Sequence, residues 1–348
     1  MSGNPFTAQR DLRSGVAYVD LSGRGVVALS GPDRLSYLDS LVSQDVSRLA
    51  PGESAEALLL DPQGRIERVM GIIDDSETTW LLVDEGQAPA VAAFLDRMTF
   101  SKDASARDAS AEVHRIGFFG VGLASESISA LAENRHGVSL IWQDPWSQVS
   151  PGGWQYAATE SHAGRDWNYR EALVSSETVI DAIQGVAVVD ELALESLRIA
   201  AWRPRFATEV DANSLPHEYD WIRSAVHLNK GCYRGQETVA KVHNLGHPPR
   251  RLTMLHLDGS TNALVDPQAE ITLDGVVVGH VTTVGNHFED GPIALAVLKR
   301  SVPSDAVLAI ETADGSVSAS QQVIVPSDAG RTVDVPKMPR LGAVSREG

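Results

Sequence analysis

The feature that most constrains this chain is a change of texture at Pro248 and Pro249. Before that pair, runs with helical spacing alternate with apolar, strand-like runs. After it come only short alternating strands, LTMLHL, AEITL, VVVGHVTTV, IALAVL and VLAIE, punctuated by Asp258-Gly259, Asp274-Gly275 and Asp314-Gly315. Asp-Gly pairs supply the backbone that tight hairpins need, and strands of this length and spacing read as a small barrel or sandwich. The fold class is therefore α+β: a mixed region over residues 1–247, an all-β unit over 248–325, and a loose, unperiodic tail over 326–348. A length of 348 residues agrees with several domains meeting one another.

Within the mixed region, SGPDRLSYLDSLVSQDV reads as a helix opening at Ser30, with Pro32 near the first turn and Leu35, Leu38, Leu41 and Val42 on one stripe. Ala57 to Leu60 and Ile66 to Ile73 form a hairpin about the turn DPQGR. After the strand TWLLVD, the spacing of Val91, Phe94, Leu95 and Met98 predicts a one-faced helix over 88–98. A third helix is predicted over 190–201, opening onto WRPRFATEVDANSLPHEYDW, where regular structure pauses.

Composition excludes several function classes. The formal net charge of −17 repels nucleic acid and anionic membranes over most of the surface, so an anionic ligand needs a local basic pocket. A single cysteine rules out an internal disulfide, CxxC redox chemistry and multi-thiolate metal sites within one chain, and its natural home is a reducing cytosol. The N-terminal segment lacks an apolar signal core, and no apolar run reaches the roughly 18 residues of a spanning helix. The expectation is a cytoplasmic protein.

The densest polar constellation is NKGCYRGQE, Asn229 to Glu237. It sets the only thiol, Cys232, between Lys230 and Arg234, with Gly231 and Gly235 allowing close approach of a ligand or partner. Cations favour thiolate over thiol, so Cys232 is the nucleophile or redox candidate and Lys230 its activator; the plain alternative is a small buried hydrophobe. His227, His243 and His247 lie nearby, but Gly246 and two prolines break the helix that HNLGH would need to hold a metal. PHEYD is not HExxH, GFFGVG does not match GxGxxG, and neither GxSxG nor GxxxxGK[ST] occurs, so no metal or nucleotide site is read. The acids Glu209, Asp211, Glu218 and Asp220 sit among Arg203, Arg205 and Arg223. They are either ion pairs at a domain junction or carboxylates for the donor face of a heterocycle.

KGCYRGQE, followed by the basic RRL at Arg250 to Leu252, resembles the signature of YgfZ-type folate-binding proteins, relatives of the glycine-cleavage T-protein. SGPDRLSYLDSLVSQDV, ALLLDPQGRI, LRIAAWRPRFATEVD and LPHE extend the resemblance over roughly residues 20 to 325. It implies a three-domain GcvT-like ring: two intertwined mixed α/β domains with antiparallel sheets, closed by a small C-terminal β-barrel around a hole that holds tetrahydrofolate or a one-carbon derivative. The same resemblance implies a functional motif of Lys230, Cys232, Tyr233, Arg234, Gly235, Gln236 and Glu237 facing that hole. Arg198, Trp202, Glu209, Asp211 and Glu218 then shape the folate pocket, with Lys241, Arg250 and Arg251 as further counter-charges for the anionic tail.

Two departures matter. T-proteins read LRLEAG where this chain reads LRIAAW, which puts Ala200 at their folate-contacting glutamate and Trp202 at their glycine, so Trp202 would have to stack on the ring instead. Their catalytic aspartate also has no match, because LLVDEGQAPAVAAFL holds no acid between Glu85 and Asp96. The resemblance thus implies a tetrahydrofolate-binding accessory protein in iron-sulfur cluster assembly or repair, with effects on tRNA modification, without classical enzyme activity and with iron-sulfur proteins as partners. One thiolate cannot hold a cluster alone. The competing readings are a folate-dependent aminomethyltransferase and a ring that no longer binds folate.

Overall fold

A computed structural model describes residues 4–177, 183, 185–260, 264–313 and 315–333. Helix α1 (Pro5–Arg13), capped by the Asn4 side chain, leads into β1 (Ala17–Asp20) and β2 (Gly25–Ser30). Next come α2 (Arg34–Leu41), β3 (Ser54–Leu60), β4 (Ile66–Asp74), β5 (Thr78–Val83) and α3 (Ala88–Arg97). β6 (Ser105–Asp108), β7 (Val113–Phe119), α4 (Gly122–Leu131) and the short β8 (Asn134–Arg135), β9 (Val138–Ser139) and β10 (Ile141–Gln143) follow. β11 (Tyr169–Ser175), β12 (Ala187–Val189), α5 (Glu191–Ala200), α6 (Phe206–Glu209) and α7 (Gln236–Leu245) complete the mixed region.

Two five-stranded sheets result. The first, β3-β4-β5-β2-β6, is antiparallel throughout, and its β3/β4 hairpin turns at the DPQG of Asp61 to Gly64. The second, β10-β11-β7-β1-β12, is antiparallel except for the β1/β12 pair. Strand order shows why chain order alone does not give these sheets: β2 leaves its neighbour β1 for the other sheet, so the two units are interleaved along the sequence. The all-β unit is a closed antiparallel barrel, β13-β16-β15-β14-β17-β18. Its strands are β13 (Arg250–Leu257), β14 (Glu270–Leu273), β15 (Val276–His287), β16 (Gly291–Lys299), β17 (Leu308–Thr312) and β18 (Gly315–Val323). The α+β class with a C-terminal barrel is what the sequence texture led us to expect.

One apolar core joins the three units, running from Leu12 and Val19 through Leu58, Trp146 and Leu197 to Leu252 and Leu295 of the barrel. α5 sits at its centre and packs against α1, β15 and β16. Its N-terminus is capped by Asp190, which accepts from the Leu192 amide at 2.8 Å, and its amphipathic spacing is what the sequence anticipated.

Three local expectations need correction. Ser30 ends β2 and caps nothing, since α2 starts at Arg34 behind Asp33. Gln236 and Glu237, read as loop, form the first turn of α7, which the αL backbone of Gly235 (φ 84°) launches. Residues 326–333 of the supposed loose tail are docked: Ala329 is buried, and the Thr332 and Val333 amides donate to His243 and Asn244 carbonyls at the α7 end. Those carbonyls have no partner within the helix, so the docked segment satisfies them. The remainder of that reading, 334–348, lies outside the described residues.

Candidate functional site

A cleft of about 90 Å³ opens between the two sheets and α5. Val69, Gly71 and Leu82 come from the first sheet, Arg115 and Tyr169 from the second, and Leu194 from α5. Five arginines (Arg24, Arg115, Arg198, Arg203, Arg205) and five carboxylates (Glu56, Asp84, Asp144, Glu171, Glu195) line it, so the cleft is charge-balanced inside an acidic protein.

The charges are closely paired. Arg115 grips Glu171 through Nε at 2.7 Å and Nη2 at 2.5 Å, and Tyr169 donates to the same carboxylate at 3.1 Å. Arg203 bridges Glu56 at 2.5 Å and Asp144 at 2.9 Å. Burial pushes Glu56 up from the usual carboxylate range, against the pull of Arg203. Burial acts in the same sense on Glu195, yet the charges and hydrogen bonds of Arg198 and Arg205 outweigh it and hold Glu195 down to about 2. Two donors remain over: Arg24 Nε and Arg203 Nη1 are buried with no hydrogen-bond partner among the described residues. A buried guanidinium N–H left unpaired is costly, so the cleft has spare capacity for a ligand's acceptor atoms.

The predicted pocket residues do not all gather here. Arg198 lines the cleft, but its donors are taken by Glu195 at 2.7 Å, Glu209 at 3.0 Å, Thr283 at 3.1 Å and the Arg203 carbonyl at 2.6 Å. Glu209 is buried behind it and is held by Arg198, the Arg205 amide, Thr208, Thr282 and Thr283. It links the mixed region to the barrel and shows no face to the cleft. Asp211 and Glu218 both clasp Arg250, at 2.5 and 2.8 Å, and Arg250 with its neighbouring hydrogen bonds holds Asp211 down to about 2, against burial. Junction ion pairing, the plainer of the two readings, describes all three acids. Arg250 is accordingly consumed as a counter-charge, and Arg251 is fully buried against Thr253, Val302 and Gln321.

Trp202 does not stack over the cleft. It adopts φ 59°, is buried, and meets the His162 ring edge-on at 5.2 Å. Ala200 instead faces a second pocket of about 200 Å³ with Phe119, Trp167 and His287. Trp167 lines both cavities and donates its indole N–H to Asp144 at 2.8 Å.

The Cys232 loop lies apart from these cavities: no residue of Lys230 to Glu237 lines either one. Cys232 is exposed, which removes the buried-hydrophobe alternative. Lys230 is not its activator. The ammonium is buried and donates to the carbonyls of Asp39, Val42 and Gln44 at 2.7 to 2.9 Å and to Asp39 Oδ1 at 2.8 Å. Burial draws its pKa below the ordinary lysine value, with Asp39 opposing. Tyr233 packs beneath it, ring centroid 5.6 Å from Nζ, and burial raises that phenol. Gln236 folds its amide back to the Lys230 carbonyl at 3.3 Å, Arg234 pairs with Glu67 at 2.8 Å, and Gly235 abuts Gly64 and the Asp61 carbonyl of the β3/β4 turn. Lys241 and Glu237 lie exposed on α7. The motif thus builds a rigid loop, pinned from below by Lys230, that holds one thiol outward.

Arg24, Glu56, Arg115, Asp144, Glu171 and Arg203 were missed from sequence as cleft residues. A signal existed: Glu56, Arg115 and Glu171 interrupt strands that are otherwise apolar at inward positions, and Arg115 sits two registers from Glu171 across β7/β11. Charges at such positions must pair.

No family model matches the chain. It is 27% identical over 317 residues to an aminomethyltransferase of Rippkaea orientalis, covering 84% of this chain and 80% of that protein. To an iron-sulfur cluster assembly factor IBA57 homolog of Mycosarcoma maydis it is 28% identical over 248 residues, covering 67% of this chain and 55% of the other. To the tRNA-modifying protein YgfZ of Vibrio atlanticus it is 22% identical, covering 83% and 85%. Among solved structures, the glycine cleavage system aminomethyltransferase T of Bartonella henselae superposes with a TM-score of 0.71 at 16% identity, covering 95% of this chain and 91% of that one.

Proposed function

We propose, from the premise that this chain is a YgfZ-type protein of GcvT-like fold, that it binds a reduced folate and serves as an accessory factor in iron-sulfur cluster assembly or repair. The observation that carries the folate half is the interior cleft with its two spare buried donors, Arg24 Nε and Arg203 Nη1. Tetrahydrofolate is rich in acceptors, a ring carbonyl at one end and carboxylates at the other. Arg203 and Arg24 are the residues to hold them, with Trp167 and Tyr169 supplying aromatic surface. The cofactor, when bound, carries a one-carbon unit or reducing power. This chain's own residues orient it and exclude water: Glu171 and Asp144 fix Arg115 and Arg203, and α5 closes one wall.

The accessory half rests on Cys232, one exposed thiol on a rigid loop. A single thiolate contacts a cluster or a client only transiently, or together with a partner's ligands. Effects on tRNA follow indirectly through iron-sulfur modifying enzymes, since a net charge of −17 disfavours direct RNA contact. A lone thiol fits a reducing compartment such as the cytosol, and no helix among the described residues is long and apolar enough to cross a membrane.

Thermal-shift titration with a panel of folates tests the ligand. Tetrahydrofolate should raise the midpoint of the wild type and of Cys232→Ala alike, and the absence of any shift at concentrations far above micromolar sinks the folate reading. Cys232→Ala should fail to restore an iron-sulfur enzyme in cells lacking the native protein; full rescue removes the thiol from the mechanism. The aminomethyltransferase relatives, which match 84% and 78% of the chain, favour a second reading, folate-dependent aminomethyl transfer. Tetrahydrofolate-dependent release of ammonia from an aminomethylated carrier protein would establish it.

A further inference from the structure

We propose that a groove beside the Cys232 loop docks an acidic, apolar-centred segment of a partner protein. The groove, about 330 Å³, runs between β4 and α3, floored by Leu59, Val91 and Phe94 and rimmed by Glu67, Arg68, Arg97 and Arg234. Arg234 is two residues from Cys232, so their Cα atoms are separated by no more than about 7 Å. The docked segment would therefore present its own groups to the thiol. The inference rests on the groove's residues and does not require folate in the interior cleft.

The charge pattern selects the occupant. Of the three arginines only Arg234 pairs with a carboxylate, Glu67 at 2.8 Å, and that pair is more than a third exposed on both sides. Arg68 donates to the Glu67 carbonyl and lies over the Phe206 ring at 5.9 Å, and Arg97 has no carboxylate partner among the described residues. Glu67 is the one carboxylate in the groove's lining, set against three arginines. Three guanidinium groups against one carboxylate around an apolar floor invert the local sign, and complementary potential over a desolvated centre is how protein interfaces choose partners. Nucleic acid and anionic membranes present extended negative surfaces that the chain's net charge of −17 repels. A short acidic segment meets only the groove.

The single thiol makes the test direct. Short peptides alternating Glu with Leu, or Lys with Leu, are prepared with a terminal pyridyl disulfide. The Cys232 thiolate attacks the peptide's sulfur, the mixed disulfide forms, and pyridine-2-thione leaves and is followed by absorbance. Docking raises the effective concentration of the acidic peptide, so it should react on the order of tenfold faster than the lysine peptide. The variant Arg68→Gln/Arg97→Gln, checked for an unchanged thermal midpoint, should abolish that preference, while tetrahydrofolate's thermal shift stays as in wild type. Equal rates for the two peptides, or an acidic preference that survives the double substitution, overturns the proposal. A missing folate shift with the acidic preference intact would instead count only against the interior site.

Discussion

The interior cleft and the Cys232 loop use the same kinds of charged group to opposite ends. In the cleft, cations are matched to carboxylates under cover, as with Arg115 and Glu171 or Arg203 between Glu56 and Asp144. In the loop, the cation is buried while the reactive atom is left outside, because Lys230 spends its charge on three backbone carbonyls and Asp39. The lesson is that a lysine two residues from a cysteine need not tune it. Lys230 positions the loop, whereas the cleft arginines both position one another and keep donors free.

The largest effect that would sharpen this contrast is on stability. Arg198→Met strips Glu195 and Glu209 of their buried counter-charge and should cost about 3 to 5 kcal/mol in denaturant unfolding. Cys232→Ala, at an exposed atom, should stay within about 0.5 kcal/mol. A cost for Arg198→Met no greater than that of Cys232→Ala would break the comparison, leaving the interior network as ornament.

Next in size is Lys230→Met, which abandons charge-assisted bonds worth about 1.5 to 3 kcal/mol and frees the loop. Lys230→Arg should not rescue it, since a planar guanidinium cannot replace a compact ammonium among converging carbonyls. The readout is thiol reactivity toward a small disulfide across pH: loss of a positioning residue changes the plateau rate with little change in the titration midpoint. A midpoint that moves strongly upward would instead restore Lys230 as an activator.

The smallest effect is in pH dependence, at the buried pair of Asp220 and His162. Burial pushes Asp220 up to about 7, and burial draws His162, 3.9 Å away, down to about 3. A carboxyl raised on folding costs stability progressively as pH rises from its unfolded value, about 3.9, to its folded one. A histidine lowered on folding gives stability that is full above its unfolded value, about 6.5, and is lost as pH falls toward its folded one. Between those unfolded values the two slopes oppose, so the pair itself adds little net slope, and the rise of wild-type stability with pH there comes from other buried histidines such as His217, drawn down to about 3 by burial. Asp220→Asn should leave the histidine slope alone, and stability should then rise more steeply with pH over the same window; an unchanged profile would show that the pair does not titrate as described.

Much of the architecture was legible because local signals were strong. The Asp-Gly turns and alternating runs after Pro249 gave an all-β unit, the DPQGR turn gave the β3/β4 hairpin, the stripe of Val91 and Leu95 gave α3, and the run over 190–201 gave α5. The site was less legible. Glu209, Asp211 and Glu218 look alike in a loop-rich stretch, and only their partners, Arg198 and Arg250, reveal them as joints between units. Trp202 seemed free to stack on a ring, but its left-handed backbone turns it under His162.

By itself the sequence determined the classes of element, the lone thiol set between glycines, and the acidic field that any anionic partner must avoid. Those properties depend on near neighbours and on sums of charge, which survive without coordinates. The tertiary structure alone decided that Arg24, Glu56, Arg115, Glu171 and Arg203 converge on one cleft, and that Lys230 reaches across to α2 instead of to Cys232. These contacts join residues up to 191 positions apart. No local periodicity encodes which of several like charges will meet, because burial selects the pairs only once the interleaved sheets have closed.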